Sequence, residues 1–72
     1  MNTYICYAPN STFDHATRSS DRVYAFGVWV QSTAKGYEGT WTFCGFATTA
    51  ARAAAVARKE GGIVVPATIV TK

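Results

Sequence analysis

Two runs rich in aromatic and β-branched residues, RVYAFGVWVQS (22–32) and GTWTFCGFAT (39–48), flank the short glycine-containing segment TAKGYE. Strand formers joined by a loop around Gly36 make an antiparallel hairpin, and this pair constrains the fold more than any other feature. Register follows from alternation. If Gln31 faces Thr40, then Val30 pairs with Trp41 and Val28 with Phe43. Tyr24, Phe26, Val28, Val30, Trp41 and Phe43 then share one face, which reads as core. The opposite face carries Ala25, Gly27, Trp29 and Gln31 beside Thr40, Thr42, Cys44 and Phe46.

The hairpin runs into TTAARAAAVARKEGG (48–62). Thr48 or Thr49 is a good N-cap, and Gly61 with Gly62 is a stop signal, so a helix is expected at about 48–60. Ala50, Ala53, Ala54 and Ala57 fall on one face of that helix. Small residues there fill the space above an aromatic sheet. Arg52, Ala55 and Lys59 point the other way, with Arg58 on a flank. Arg58 and Lys59 also complement the helix dipole in the last turn. A solvated helix face accounts for all three cations.

The flanking segments are less regular. TYICY (3–7) reads as a short strand. APNSTFDHATRSSD (8–21) is rich in turn formers, and Ser11 with Asp14 makes a capping-box pattern, so a loop or short helix is expected. GIVVPATIVTK (62–72) reads as a strand that Pro66 confines to an edge or a bulge. The predicted class is α+β: one compact domain over 1–72, with a small antiparallel sheet of three or four strands and one α-helix packed on one face.

At 72 residues and 49% hydrophobic, the chain is globular but short, and domains of this size gain from self-association. A homodimer is therefore one expected state. Cys6 and Cys44 are too few for a disulfide framework. The stretch MNTYICYAPN lacks the basic and apolar regions of a signal peptide, and no apolar run reaches membrane-spanning length. The expectation is a cytoplasmic protein with reduced cysteines and no membrane partner.

Chemistry is sparse. His15 stands beside Asp14 in a polar segment, and the cysteines fall mid-strand, where they usually serve as small packing residues. No metal-ligand spacing, phosphate loop or nucleophile arrangement is present, so neither an enzyme nor a cofactor is expected. The least ordinary feature is the second hairpin face, where no charge accompanies Trp29. An uncharged patch centred on tryptophan points to a protein contact made by Trp29, Gln31, Thr40 and Thr42. The competing arrangement folds the 8–20 segment over that face, with Phe13 on Trp29. A net charge of +3 admits nucleic acid as the alternative partner, held by Arg52, Arg58 and Lys59. The basic residues form no run longer than two.

The segment YAFGVWVQSTAKGYEGTWTFCGFATTAARAAAVAR resembles the arm-type DNA-binding domain of tyrosine recombinases, which presents a three-stranded sheet to the major groove. It departs from that pattern in having no Lys or Arg on the open face. The same segment resembles the β-β-β-α end of a double-stranded RNA-binding domain. It lacks the N-terminal helix, and TTAARA replaces the basic cluster at the start of the last helix. In size and kind the chain, read as complete from Met1 to Lys72, resembles the small phage proteins that disarm bacterial defence, notably anti-CRISPR proteins. That resemblance implies a stoichiometric inhibitor acting in the host cytoplasm. Its partner would be a larger protein or ribonucleoprotein, a CRISPR effector complex, on whose surface it sits. The resemblance carries no motif and assigns no residues.

Overall fold

The computed structural model describes residues 1–70. The elements run β1 (Asn2–Tyr7), β2 (His15–Ser20), β3 (Phe26–Gln31), β4 (Trp41–Ala47), α1 (Ala50–Glu60), β5 (Ile63–Pro66) and β6 (Thr68–Val70). The strands form two three-stranded antiparallel sheets, ordered β2–β1–β6 and β4–β3–β5. The α+β class with one helix on a small antiparallel sheet holds. The strands are divided between two sheets rather than gathered into one.

The central hairpin forms as expected, but its register is shifted by one residue. Gln31 faces Trp41, Val30 faces Thr42 and Trp29 faces Phe43. A one-residue slip exchanges the two faces of a strand. Trp41 and Phe43 therefore join Trp29 on one face, not Val28 and Val30. Beyond Trp29 the ladder is offset again, with Val28 facing Gly45 and Phe26 facing Ala47, so Cys44 is the extra residue of a β-bulge. Gly45 takes φ 153° there. The bulge lets Phe43 and Phe46, three residues apart, face the same side with ring centroids 4.8 Å apart. In an unbroken strand they would point to opposite faces.

Two cores result, one on each side of the β4–β3–β5 sheet. Val28, Ala47, Ala53 and Ala57, with Phe26, Val56 and Val64, fill the helix side. Cys6, Ala8 and Trp29, with Trp41, Phe43, Phe46 and Val65, fill the other, where β1 closes over the sheet. The order of layers is helix, sheet, sheet. Trp29 is 3% exposed and lies in the second core. What covers it is β1, through Cys6 and Ala8. Phe13, expected to pack there if the 8–20 segment folded over, is 86% exposed.

Helix α1 begins after Thr49, whose hydroxyl accepts the Arg52 amide at 3.2 Å, and ends at Gly61 in the left-handed region (φ 74°). Of the alanine stripe, Ala53 and Ala57 are buried, Ala54 is half-buried and Ala50 is exposed. Gly62 has a separate task. A Cβ placed on it would stand 2.5 Å from the Trp29 carbonyl oxygen, so only glycine lets the chain enter β5 beside β3.

The segment 8–21, expected as a loop or short helix, contains strand β2. The Ser11 hydroxyl does accept the amides of Phe13 and Asp14, at 3.1 and 3.0 Å. These bonds close the β1–β2 turn, which the Ala8 amide seals on the Asp14 carbonyl at 2.9 Å. No helix follows, because His15–Ser20 pair along the whole of β1.

The expected closing strand is divided at Ala67. β5 pairs with β3 at the edge of one sheet, and β6 pairs with β1 at the edge of the other. Pro66 ends β5 opposite Phe26, on the edge strand to which its missing N–H confines it. Ala67 spans the gap with its amide on the Ala25 carbonyl at 2.8 Å. Thr71 and Lys72 lie outside the described residues.

Candidate functional site

The four residues expected as a contact surface do not assemble into one. Trp29 is buried. Gln31 is exposed at the end of β3, and Thr40 lies in the hairpin loop, its hydroxyl donating to the Tyr37 carbonyl at 2.7 Å. Thr42 pairs with Val30 and so faces the helix side, away from Trp29. The expectation failed because a second sheet covers the Trp29 face, and because the one-residue slip carries Thr42 to the helix side.

An uncharged open face does exist, on the other sheet. In β1 the buried residues are Tyr4 and Cys6, so Thr3, Ile5 and Tyr7 point outward. The register places Ser19, Thr17 and His15 beside them on β2, and Val70 and Thr68 on β6. Thr3 and Ser19 share a hydroxyl hydrogen bond at 3.0 Å, and the Tyr7 and His15 rings lie 5.5 Å apart. The His15 Nδ1 is 2.7 Å from the Phe13 carbonyl. No Lys, Arg, Asp or Glu stands on this face among the described residues. Threonine suits any exposed strand, but a solvated sheet face normally interleaves lysine and glutamate with it. The signal was legible in TYICY and HATRSS only after β2 was known to be a strand.

Five of the seven basic residues fall in two groups. Arg58 and Lys59 sit in the last turn of α1. Arg52 is at the other end of the helix, in a notch of about 310 Å³ lined by Arg22, Tyr24, Phe46, Ala47, Thr48 and Arg52. The Arg18 guanidinium lies 4.6 Å above the ring of Tyr24, one of the notch walls. The trio expected from sequence, Arg52, Arg58 and Lys59, is thus not one patch. Arg22 from the 21–25 connection and Arg52 from α1 share the notch wall instead, and Arg18 from β2 stacks on the Tyr24 ring of that wall. Spacing along the chain gave no hint of that grouping.

The two cysteines differ in setting. Cys6 is buried and Cys44 exposed, and neither is in a disulfide. Burial raises the Cys6 thiol above its ordinary pKa, partly opposed by the Trp29 N–H that points at the sulfur. Cys44 is raised as well, by local desolvation and then by the Glu60 carboxylate. A raised pKa keeps both as thiols at neutral pH, the opposite of the thiolate that a nucleophile requires. Among the described residues no helix is long and apolar enough to cross a membrane. Compared with known proteins, the chain matches no family model, and no curated protein or solved structure is significantly similar to it.

Proposed function

We propose that the protein is a non-enzymatic protein-binding module whose contact surface is the outer face of the β2–β1–β6 sheet. One observation carries this reading. The face formed by Thr3, Ile5, Tyr7, Thr17, Ser19, Thr68 and Val70 bears no formal charge, in a chain with seven basic and four acidic residues. Uncharged patches with an exposed tyrosine and aliphatic neighbours are what protein interfaces use at their centres. Among the described residues the β6 edge beside it is unpaired and exposes Ile69 and Val70, so a partner strand can extend the sheet. A cytoplasmic location, with both cysteines reduced, accompanies this reading. The narrower one, a phage inhibitor of a CRISPR effector, rests on the likeness of size and kind alone, and nothing in the surface adds to it.

Binding is tested by capture of the partner from host lysate with the tagged protein, followed by sizing of the purified pair. Tyr7→Lys and Thr17→Lys place a cation on the face and should abolish capture while melting within a few degrees of the parent. Thr33→Lys, in the exposed hairpin loop, should leave capture intact. Equal capture by all three variants rejects the surface. A sizing shift of the isolated protein that the same two variants remove would identify a second copy as the occupant.

The alternative is a nucleic-acid-binding domain, and the observation in its favour is that Arg22 and Arg52 share one notch with Arg18 stacked on its Tyr24 wall. Phosphate contacts make log affinity fall with log salt at a slope of about −0.9 per contact. A steep slope on duplex DNA or RNA, flattened by charge reversal at Arg18, Arg22 and Arg52, would replace the first reading.

A further inference from the structure

We infer that the notch between the β4–α1 junction and the 21–25 connection is a binding site for a phosphate monoester. The inference is independent of the outer sheet face, which lies in another layer of the molecule.

Two guanidinium groups, Arg22 and Arg52, line the notch without an acidic residue beside them in its wall, and a third, Arg18, stacks on its Tyr24 wall. The only ion pair among the described residues joins the Met1 amine to Asp21 at 3.5 Å. Asp21, the acid next to Arg22 in sequence, is therefore already engaged. The first turn of α1, which supplies Arg52, contains no acidic residue either, so the positive end of the helix dipole adds to the same field. Like charges gathered this way repel, and an anion between them removes the repulsion.

The walls are held in place by the core. Tyr4, Tyr24, Phe46, Phe43 and Trp29 form a continuous series of edge-to-face contacts, with centroids 6.5, 6.2, 4.8 and 5.0 Å apart. Tyr24 and Phe46, in the middle of that series, are the aromatic walls of the notch. Ala47, beside them, is buried against the helix. The site is thus anchored at one end in buried Tyr4 and at the other in buried Trp29. Arg18 is fixed in turn by its position over the Tyr24 ring.

Charge and geometry select phosphate over carboxylate. A carboxylate has two coplanar oxygens, which one arginine fork can engage together. A phosphate monoester carries close to two charges and three terminal oxygens, so guanidiniums from different directions can each donate to it. The Thr48 hydroxyl on the wall is a further donor. The volume of 310 Å³ is at the lower end for ligand pockets, which run from about 300 to 1,000 Å³. That accommodates one phosphorylated group rather than a run of nucleotides. The phosphate can come from a free nucleotide or from the phosphorylated end of a nucleic-acid strand.

Calorimetry and amide-resolved NMR on the full chain test this with inorganic phosphate, adenosine monophosphate, acetate and a short oligonucleotide with and without a 5′-phosphate. Saturable binding of phosphate and the monophosphate is expected, centred on Arg22, Tyr24, Phe46 and Thr48, with acetate weaker. Arg22→Gln and Arg52→Gln should each lose about tenfold or more, the worth of one charge-assisted hydrogen bond. Arg58→Gln, at the far end of the helix, should bind as the parent does. A 5′-phosphorylated strand that matches the free nucleotide and outbinds its unphosphorylated form assigns the source to a strand end. A strand that binds no better than inorganic phosphate assigns it to the free nucleotide. Absence of saturable shifts, equal binding of acetate, equal loss in Arg58→Gln, or tightest binding by the unphosphorylated strand each overturns the inference.

Discussion

The indole nitrogen of Trp29 in β3 donates to the Cys6 sulfur in β1 at 3.3 Å, and the same sulfur lies 3.6 Å from the Val65 carbonyl in β5. One fully buried thiol thus contacts two strands of the facing sheet. The polar end of the tryptophan would otherwise be an unsatisfied donor in an apolar layer.

Trp29 should therefore be the most sensitive aromatic in the chain. Trp29→Ala is expected to cost about 3–5 kcal/mol in denaturant unfolding, enough to unfold a domain of this size. Trp41→Ala, at a half-buried position, should cost less. The face assignment expected from sequence implies the reverse order, so this pair of variants tests which side of the hairpin is the more deeply buried.

Gly27 marks where the sheets come closest. A Cβ there would lie 2.5 Å from the Cys6 sulfur and 2.9 Å from the Phe43 ring. Gly27→Ala should destabilise by roughly 1–3 kcal/mol, the usual range for overpacking. Coupling it with Cys6→Ala should recover part of that loss in a double-mutant cycle, because the nearest clash is with the sulfur.

The two helix-terminal glycines should behave differently. Gly61→Ala must hold φ 74° but meets no neighbour within 4 Å, and should cost about 1–2 kcal/mol. Gly62→Ala collides with the Trp29 backbone and should cost more, measured by thermal melting of both. Thr49→Ala, which removes the amide acceptor for Arg52, should cost about 1 kcal/mol.

Alkaline pH should weaken the fold through its thiols. Both cysteines have raised pKa values in the folded chain, Cys6 chiefly by burial. The unfolded state then loses its thiol protons first, so stability is full below about pH 8.5 and declines as pH rises beyond it. Cys6→Ala should flatten that decline while Cys44→Ala removes a smaller part. In native buffer a thiol reagent should modify Cys44 at once and reach Cys6 only at the rate of unfolding.

The helix was the most legible element, because Thr49, the alanine spacing and Gly61 are local signals that tertiary structure had no cause to override. The hairpin was legible as a hairpin but not in register. Both pairings place aromatic residues on one face, and the difference is made by the loop and by the bulge at Cys44, neither of which periodicity reports. β2 was missed because HATRSS contains no alternation of apolar and polar residues, and its pairing with β1 supplies what propensity does not. For the candidate surfaces the sequence argument was sound in kind and wrong in place. An uncharged sheet face exists, but it belongs to Thr3, Ile5 and Tyr7. The arginine notch depended on contacts between segments far apart in the chain.

The division of the closing segment at Ala67 has a kinetic consequence. Thr68–Val70 pair with Thr3–Ile5, so β1 waits for a strand more than sixty residues further along the chain before its sheet is complete. Until then β1 has a bare edge, and the hairpin β3–β4 lacks β5 as well. Pairings of such long sequence separation are slow to close. Neither sheet can mature ahead of the other, and the molecule should reach its native state in one all-or-none step once β5 and β6 dock rather than strand by strand.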